Sequence, residues 1–436
     1  MSFLDVVSNS ISLERNEGER CTRFLEELLS DYPSHNLQVR LWDGSIWGAN
    51  DPKCTLTLNR PGTLRRLCTD PSELKLGEAY VYGDVDISGD IEAILDFADY
   101  LIKPRDCSLG ARTRLLHLFH SLPQHGDAPG RWSHRTASLD GELHSRERDR
   151  QAVRYHYDLP PEFFALWLDS GMEYSSAYFE SREQEDLDAA QFKKLDYICR
   201  KLELSQGESL LDIGCGWGQL VVHAAAHYGV RSVGITLSVP QAETARQRIR
   251  EAGVSERCRV EVCDYRDFEG KHRFDKIVSV GMFEHVGARM LPEFFHAAWQ
   301  WLKPGGLFLN SGISANANDQ RVGPSFVDQY VFPDGELVPI STNLGIAERA
   351  GFEVRDVENL REHYALTLRH WVRRLERNEE EVKNLTDEAT YRIWRLYMAG
   401  SAHRFSSGRL NLFHTLLRKP GENGNVSLTR EHWYQH

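Results

Sequence analysis

Three glycines at alternate positions constrain this chain more than any other feature. Residues 210–220 read Leu-Leu-Asp-Ile-Gly-Cys-Gly-Trp-Gly-Gln-Leu, so an apolar run carrying Asp212 leads into Gly214, Gly216 and Gly218. The run is predicted to be a buried parallel strand, and glycines let the following backbone turn tightly against a ligand. Such a turn between a strand and a helix is typical of a nucleotide-type cofactor site, and its spacing is not that of a P-loop. The alternative interpretation is a chance glycine-rich turn.

Length, composition and charge narrow the class of protein. The chain of 436 residues is longer than a domain with a single hydrophobic core usually is. Its hydrophobic content of 41% indicates a folded chain, and its net charge of −12 argues against a general nucleic-acid binder. No C-x-x-C pair indicates a zinc or redox centre, and no metal site is predicted. The chain shows no signal-peptide pattern and no apolar run near the ~20 residues of a spanning helix. We therefore expect a cytoplasmic protein, at most peripheral to the inner face of a membrane.

One stretch reverses the overall charge. Residues 103–154 hold ten Lys or Arg and six Asp or Glu, which gives a local charge of +4. A basic stretch of this kind is either a solvated linker or a contact for an anionic surface, and both interpretations stay open at this stage.

The patterning predicts three segments. Residues 1–122 form a small α+β domain, residues 123–150 a linker, and residues 151–436 an α/β domain. In the first segment we expect a hairpin over 37–47 around Asp43-Gly44, a strand over 54–58, and helices over 64–68, 72–79 and 91–101.

From about residue 186 onward, helices and strands alternate. This pattern predicts a Rossmann-like α/β fold, with a parallel sheet and helices on both faces. Strands are predicted over 209–213, 230–236, 259–263, 274–280, 306–310, 329–332 and 352–358. Helices are predicted over 187–204, 219–228, 240–252 and 291–302, and residues 365–415 should add a largely helical tail.

Polar side chains follow the second and third predicted strands, where a ligand of such a sheet would lie. Thr236 and Ser238 end the second strand, with Gln241 just inside the next helix, so they are candidates to contact a ribose. Asp264 follows the third strand, where it could accept a hydrogen bond from an adenine amino group with Tyr265 beside the ring. The alternative for Asp264 is an ordinary helix N-cap.

A second polar group follows the fourth strand. Glu284 and His285 come after Ser279-Val280-Gly281-Met282-Phe283 and should lie at the mouth of the site. A carboxylate there could steady a developing cation or hold a base, and the alternative is an ordinary surface loop.

Together these motifs resemble a known family. The glycine loop resembles that of S-adenosylmethionine (SAM) dependent methyltransferases. With Gly-Met-Phe-Glu-His-Val-Gly at 281–287, it looks like the cyclopropane fatty acid synthases, which include the mycolic acid cyclopropane synthases. His-Tyr-Asp-Leu at 156–159 and Glu-Tyr-Ser-Ser-Ala-Tyr-Phe at 173–179 are similar to further family segments. The resemblance covers about residues 150–415 and is weaker over 1–122, which looks like the lipid-facing domain of longer bacterial members.

The resemblance implies a reaction and a set of site residues. A cis double bond in an acyl chain of a membrane phospholipid would attack the SAM methyl group, and a bound bicarbonate would remove a proton to close a cyclopropane ring. It also implies a homodimer. The positions expected to bind SAM are Tyr174, Ser175, Asp212, Gly214, Gly216, Gly218, Thr236, Ser238, Gln241, Asp264, Tyr265 and Arg266. Those expected to act in catalysis are His156, Ser176, Glu284, Ser311, Ile313 and Tyr364.

Two of these positions depart from the family pattern, because Ser176 replaces a cysteine and Ser311 replaces a histidine. A serine hydroxyl can hydrogen-bond an anion but carries no charge, so bicarbonate should bind more weakly. Proton loss then either still closes the ring, or follows a hydride shift and leaves a methylene, the precursor of a methyl branch. Glu173 is a candidate base for the second route.

Two other classes of protein stay open at this stage. One is a methyltransferase that acts on a small soluble acceptor, and the other is a non-catalytic lipid-binding protein.

Overall fold

The computed structural model describes residues 3–32, 36–102, 108–125, 136–157, 159–182, 186–318, 325–421 and 427–434. Several predicted features lie outside these residues, namely Lys103, Arg105, Arg131 and Arg135 of the basic stretch and Asp158 of the 156–159 motif. The chain divides into two compact units. Unit 1 comprises residues 1–136, 323–326 and 388–400, and unit 2 comprises 137–322, 327–387 and 401–436. No described helix is long and apolar enough to cross a membrane.

Unit 1 is built on a small sheet. Its described strands pair in the order β2–β1–β3–β4, with β1 and β3 parallel and the other pairs antiparallel. The strands are β1 (Leu37–Arg40), β2 (Ile46–Gly48), β3 (Cys54–Leu58) and β4 (Val85–Gly89). The helices are α1 (Phe3–Leu28), α2 (Thr63–Thr69), α3 (Glu73–Val81), α4 (Ile91–Ile102) and α5 (Leu109–Ser121). The predicted hairpin, strand and three helices are confirmed, and the structure adds α1 and α5, which were not predicted.

Unit 2 carries a larger sheet. Its described strands pair in the order β10–β11–β9–β8–β5–β6–β7, all parallel except β11, which is antiparallel to both neighbours. The strands are β5 (Ser209–Ile213), β6 (Arg231–Thr236), β7 (Cys258–Val262), β8 (Phe274–Val280), β9 (Leu302–Ala315), β10 (Glu353–Asn359) and β11 (Leu410–Arg418). The predicted Rossmann-like fold is confirmed.

Helices cover both faces of this sheet. The described helices that lie wholly in unit 2 are α6 (Arg146–Tyr157), α7 (Pro161–Ala165), α8 (Leu187–Lys201), α9 (Gln219–Tyr228), α10 (Val239–Glu251), α11 (Leu291–Trp301), α13 (Ile340–Arg349), α14 (Arg361–Arg377), α15 (Glu379–Leu385) and α17 (Glu431–Tyr434). Two further helices, α12 (Phe326–Tyr330) and α16 (Glu388–Ser406), begin with residues of unit 1 and end with residues of unit 2. Leu210 packs with residues of α8 and α9, and the next residue, Leu211, packs with residues of α11. Because successive side chains of a strand face opposite ways, this burial on both faces explains the continuous apolar run of β5.

Two predicted elements are wrong. The predicted strand over 329–332 is instead the end of α12 and the residues after it, because a run of four residues does not distinguish strand from helix. The predicted helical tail gives way at Leu410 to β11, which is paired on both edges and mostly buried, so it lacks the alternation that marks a half-exposed strand. In addition, α6 begins at Arg146, inside the segment predicted as a linker.

Candidate active site

The glycine loop leaves open space beside its backbone. Gly214, Gly216 and Gly218 have φ angles of 85°, 52° and 81°, in the left-handed region that L side chains rarely adopt. A Cβ at Gly214 would lie 2.8 Å from Met282 Cβ, and one at Gly218 would lie 2.6 Å from Ala245 Cβ, so both positions need glycine for close packing. A Cβ at Gly216 would meet no atom of the described chain within 4 Å. The backbone at Gly216 is therefore open to a ligand, which fits a nucleotide-type cofactor.

The end of β6 supplies hydroxyl and amide groups at the same edge of the sheet. The Gly214 N–H donates to the Ile235 carbonyl over 2.9 Å, which ties the loop to β6. Just beyond, Thr236 Oγ1 donates to Gln241 Oε1 over 2.9 Å, and Ser238 Oγ accepts from the Gln241 N–H and caps α10. These three side chains lie together as predicted, and groups of this kind can hydrogen-bond the hydroxyls of a ribose.

Asp264 is held by Arg266. Its Oδ1 accepts from the backbone N–H and Nε of Arg266, and its Oδ2 accepts from Nη2 over 2.7 Å. Burial opposes ionisation, but the hydrogen bonds from Arg266 hold the pKa of Asp264 below its ordinary value. Asp264 thus caps a short 3₁₀ helix (Tyr265–Asp267), while the buried Tyr265 packs edge-on against Phe294. The contacts of Asp264 and Tyr265 with adenine stay predictions.

A buried lysine holds the segment that contains Tyr174 and Ser175. The ammonium group of Lys194, on α8, forms an ion pair with Glu173 and donates to Ser175 Oγ over 3.1 Å. The Glu173 carboxylate is thus paired with a cation, and its role as a base stays a prediction. Burial raises the pKa of nearby Asp212 to about 8, with the charge of Glu173 adding to the rise, so Asp212 keeps its proton at neutral pH.

His156 packs behind Tyr174. The two rings stack with centroids 5.5 Å apart, and His156 stacks on Phe332 at 3.7 Å. Burial lowers the pKa of His156 to about 3, with the charge of His285 adding to the fall, so the ring is neutral. Its Nδ1–H then donates to the Val331 carbonyl over 2.9 Å. The structure thus shows His156 as a packing group, and its catalytic role stays a prediction.

Glu284 is a buried carboxylate with one uncommitted oxygen. It lies on a 3₁₀ helix (Phe283–His285), and its Oε1 accepts from the Ile313 N–H over 2.6 Å. Among the described residues, its Oε2 has no hydrogen-bond partner. Burial raises the pKa of Glu284 to about 7, although the bond from Ile313 opposes the rise. A carboxyl group with a pKa near neutrality is suited to accept or donate a proton.

The other predicted catalytic positions form two groups. Ser311 lies on β9, two residues before Ile313, and is buried opposite His414 of β11. Ser176 is bound differently, because its Oγ donates to the Ala177 carbonyl over 3.0 Å. The Ala177 N–H donates to Thr367 Oγ1 on α14, the helix that also carries the buried Tyr364. Hydrogen bonds therefore link Glu284 to β9, and they link the segment that contains Ser176 to α14.

Sequence reasoning missed three polar residues that organise the site. Gln191 and Lys194 contact the 173–175 segment from α8, and Arg248 Nη1 donates to the carbonyls of Gly171 and Trp217 over 2.5 Å and 3.4 Å. For the α8 pair a signal did exist, because Gln191 and Lys194 interrupt the buried apolar stripe of that helix.

The sheet, the open glycine loop and the polar strand ends define a SAM-dependent methyltransferase. Residues 144–415 match the family model described as mycolic acid cyclopropane synthetase, and residues 24–100 match a domain of unknown function, DUF7884. The chain belongs to the mycolic acid cyclopropane synthetase family.

The relatives of this chain are named as lipid-modifying enzymes. A probable fatty acid methyltransferase of Pseudomonas putida is 40% identical over 406 residues, which cover 92% of this chain and 96% of the relative. The cyclopropane-fatty-acyl-phospholipid synthase of Escherichia coli strain K12 is 35% identical over 282 residues, 65% of this chain and 71% of its own. Among solved structures, the mycolic acid cyclopropane synthase CmaA1 complexed with SAH and CTAB is 33% identical with a TM-score of 0.58, covering 62% of this chain and 98% of that one. The predicted cofactor, SAM, and the predicted enzyme class are confirmed.

Proposed function

We propose that the protein transfers the methyl group of SAM to the cis double bond of an unsaturated phospholipid acyl chain and leaves an open chain with a methylene branch. The observation that carries the proton transfer in this proposal is Glu284, a buried carboxylate with an uncommitted oxygen and a pKa of about 7, while the choice of the open chain rests on the replacements Ser176 and Ser311. A carboxylate of this kind can itself act as the base that removes the proton.

When bound, SAM supplies an electrophilic methyl group, and its transfer to the double bond leaves a cation on the neighbouring carbon of the acyl chain. A hydride shift from the methylated carbon moves the charge to that carbon. Glu284 Oε2 then accepts a proton from the new methyl group, and the electron pair of that C–H bond forms the C=CH2 double bond of the methylene branch. No oxidant or reductant is required, and the Ile313 N–H steadies the other oxygen of the carboxylate.

The two serines favour a protein base over a bound anion. Ser176 and Ser311 carry no charge, and the hydroxyl of Ser176 already donates to the Ala177 carbonyl. An anion placed beside the ionised Glu284 would be repelled unless strong donors compensated for its charge. The P. putida relative, which matches 92% of this chain, is named a probable fatty acid methyltransferase rather than a cyclopropane synthase, and this name supports the open-chain product.

Ring closure is the second candidate function. Glu284, Ile313 and Tyr364 occupy the positions implied by the resemblance to cyclopropane synthases, and the Glu284–Ile313 contact is present. Loss of the same proton before any hydride shift would close a cyclopropane ring.

The product distinguishes the two candidates. The purified protein would be incubated with ¹³C-methyl SAM and vesicles of a monounsaturated phosphatidylglycerol, and the acyl chains would be examined by NMR. The two products are isomers, so mass alone does not separate them. We expect vinylidene protons. High-field cyclopropyl protons would instead establish the ring, and methylation of soluble amines without any lipid product would overturn both.

Helix α5 supports a phospholipid substrate presented in a membrane. Its Leu109 and Leu116 are 83% and 59% exposed, and Arg112 lies on the same exposed face. Apolar and basic side chains on one face suit an anionic membrane surface. Peripheral attachment to the membrane is part of this proposal, and the homodimer stays a prediction.

Changing both leucines to serine should therefore weaken binding to anionic vesicles by about a hundredfold or more, since each buried leucine contributes roughly 1.5–3 kcal/mol and about 1.4 kcal/mol is a factor of ten. Vesicle sedimentation at two salt concentrations would measure it. The control is Leu385→Ser, which changes an equally apolar residue that is 43% exposed on the acidic α15. Unchanged binding of the double variant would exclude α5 as the contact.

A further inference from the structure

Lys194 is a buried cation whose partners lie in one short segment. Its side chain is 4% exposed, and its ammonium group contacts the Glu173 carboxylate and the Ser175 hydroxyl. Gln191, three residues earlier on α8, donates to the carbonyls of Glu173 and Ser175 over 3.3 Å and 3.0 Å. Side chains three apart leave a helix on the same face. Helix α8 therefore holds the 173–175 segment by donating to two backbone carbonyls, one carboxylate and one hydroxyl of that segment.

The 173–175 segment lies beside the glycine loop. Arg248 Nη1 donates both to the Gly171 carbonyl, just before the segment, and to the Trp217 carbonyl within the loop. A Cβ at Gly171 would lie 3.3 Å from the side chain of Gln219, the first residue of α9. The charge of Glu173 also reaches Asp212, the residue of β5 that precedes the loop by two positions. These contacts place the 173–175 segment next to the glycine loop at 214–218.

We propose that Lys194 is a positioning residue for SAM, which holds Glu173 and Ser175 in place beside the glycine loop without itself touching the cofactor. A lysine this buried is costly unless it is paired. Without it, Glu173 and Asp212 would be two acids near each other in a medium of low dielectric. Glu173 would turn toward water and carry Tyr174 and Ser175 with it. The proposal concerns cofactor binding alone, so it does not depend on which lipid product is formed.

Lys194→Met should raise the dissociation constant for SAM by about tenfold or more. Isothermal titration calorimetry on the full chain without lipid would measure this, so the result is independent of the lipid reaction. The matched control is Lys193→Met, which removes the neighbouring lysine of α8, 31% exposed and paired with Glu180. We expect that variant to bind SAM as the wild type does.

A second variant separates positioning from folding. Lys194→Met alone leaves Glu173 as an unpaired acid, so the melting temperature of the protein should fall. Glu173→Gln combined with Lys194→Met removes both charges and should recover much of that temperature. Ser175 still lacks its donor, so SAM binding should stay weak, and KM for SAM should rise more than kcat falls. Wild-type SAM affinity in the double variant would overturn the proposal. If the double variant does not fold, wild-type affinity in Lys194→Met would overturn it equally.

Discussion

Replacing Glu284 by glutamine should lower kcat by about 10³-fold while leaving the dissociation constant for SAM within about twofold of the wild-type value. Glutamine keeps an oxygen that can accept the Ile313 N–H, so the local geometry should persist. It cannot accept the proton that the reaction releases. Steady-state kinetics with vesicle substrate and calorimetry with SAM would measure the two effects. Glu293→Gln, on the exposed face of α11, is the control and should behave as the wild type.

The pH dependence provides an independent check on Glu284. A base must be ionised to act, and burial raises the pKa of Glu284 to about 7, so wild-type kcat should rise with pH and level off above about that value. The residual activity of Glu284→Gln should not show this rise with pH. A wild-type rate that is flat between about pH 6 and 8, or a variant as active as the wild type, would assign the proton to another group.

The same raised pKa predicts that the wild type loses stability at high pH and that the glutamine variant does not. Because the folded-state pKa of Glu284 is raised from 4.5 to about 7, the folded protein favours its neutral form. That contribution is complete below the unfolded pKa and is lost as pH rises through the folded pKa. The glutamine variant never ionises, so near pH 8 it should be more stable than the wild type by up to about 3 kcal/mol, with little difference near pH 5. Urea unfolding at both pH values would measure this.

Gly216→Ala should raise the dissociation constant for SAM by about tenfold to a hundredfold, equivalent to about 1.4–2.7 kcal/mol. The new Cβ would project into space that the described chain leaves empty, so the fold should tolerate it while the cofactor would not. The φ of +52° adds backbone strain of roughly 1–2 kcal/mol.

Gly207→Ala is the matched control for that strain. Gly207 has a φ of +85°, and its Cβ would also meet nothing in the described chain within 4 Å, but it lies in the turn before β5 rather than in the loop after it. The melting temperature should fall by a similar amount in both variants, and the affinity for SAM should fall only in Gly216→Ala. Equal affinities in the two variants would show that Gly216 does not face the cofactor.

Much of the site was predictable because its determinants are local in sequence. The glycine spacing at 214–218 predicted the open loop, and the polar residues after β6 predicted that Thr236, Ser238 and Gln241 would lie together. In a parallel sheet, residues that end neighbouring strands must share one edge. Glu284 could be predicted on the same grounds, since it follows β8.

The partners of these residues could not be predicted in the same way. Glu173 was expected as a base, yet Lys194, 21 residues further along the chain, occupies its carboxylate. Arg266, two residues after Asp264, binds both oxygens of that carboxylate, and the contact of Asp264 with adenine stays a prediction. The pairing of Glu173 with Lys194 depends on which side chains burial brings together, and burial is a property of the packed elements rather than of any one segment.

The sequence by itself predicted the class of fold, because strands and helices alternate from about residue 186, and it predicted the cofactor through the resemblance of the glycine loop to those of SAM-dependent methyltransferases. Only the tertiary structure decided that β11 completes the sheet, that Lys194 fixes the 173–175 segment, and that Glu284 keeps an uncommitted oxygen. The physical reason is that desolvation and pairing set the charge and availability of a side chain. Both arise from residues distant in sequence that meet only when the chain has folded.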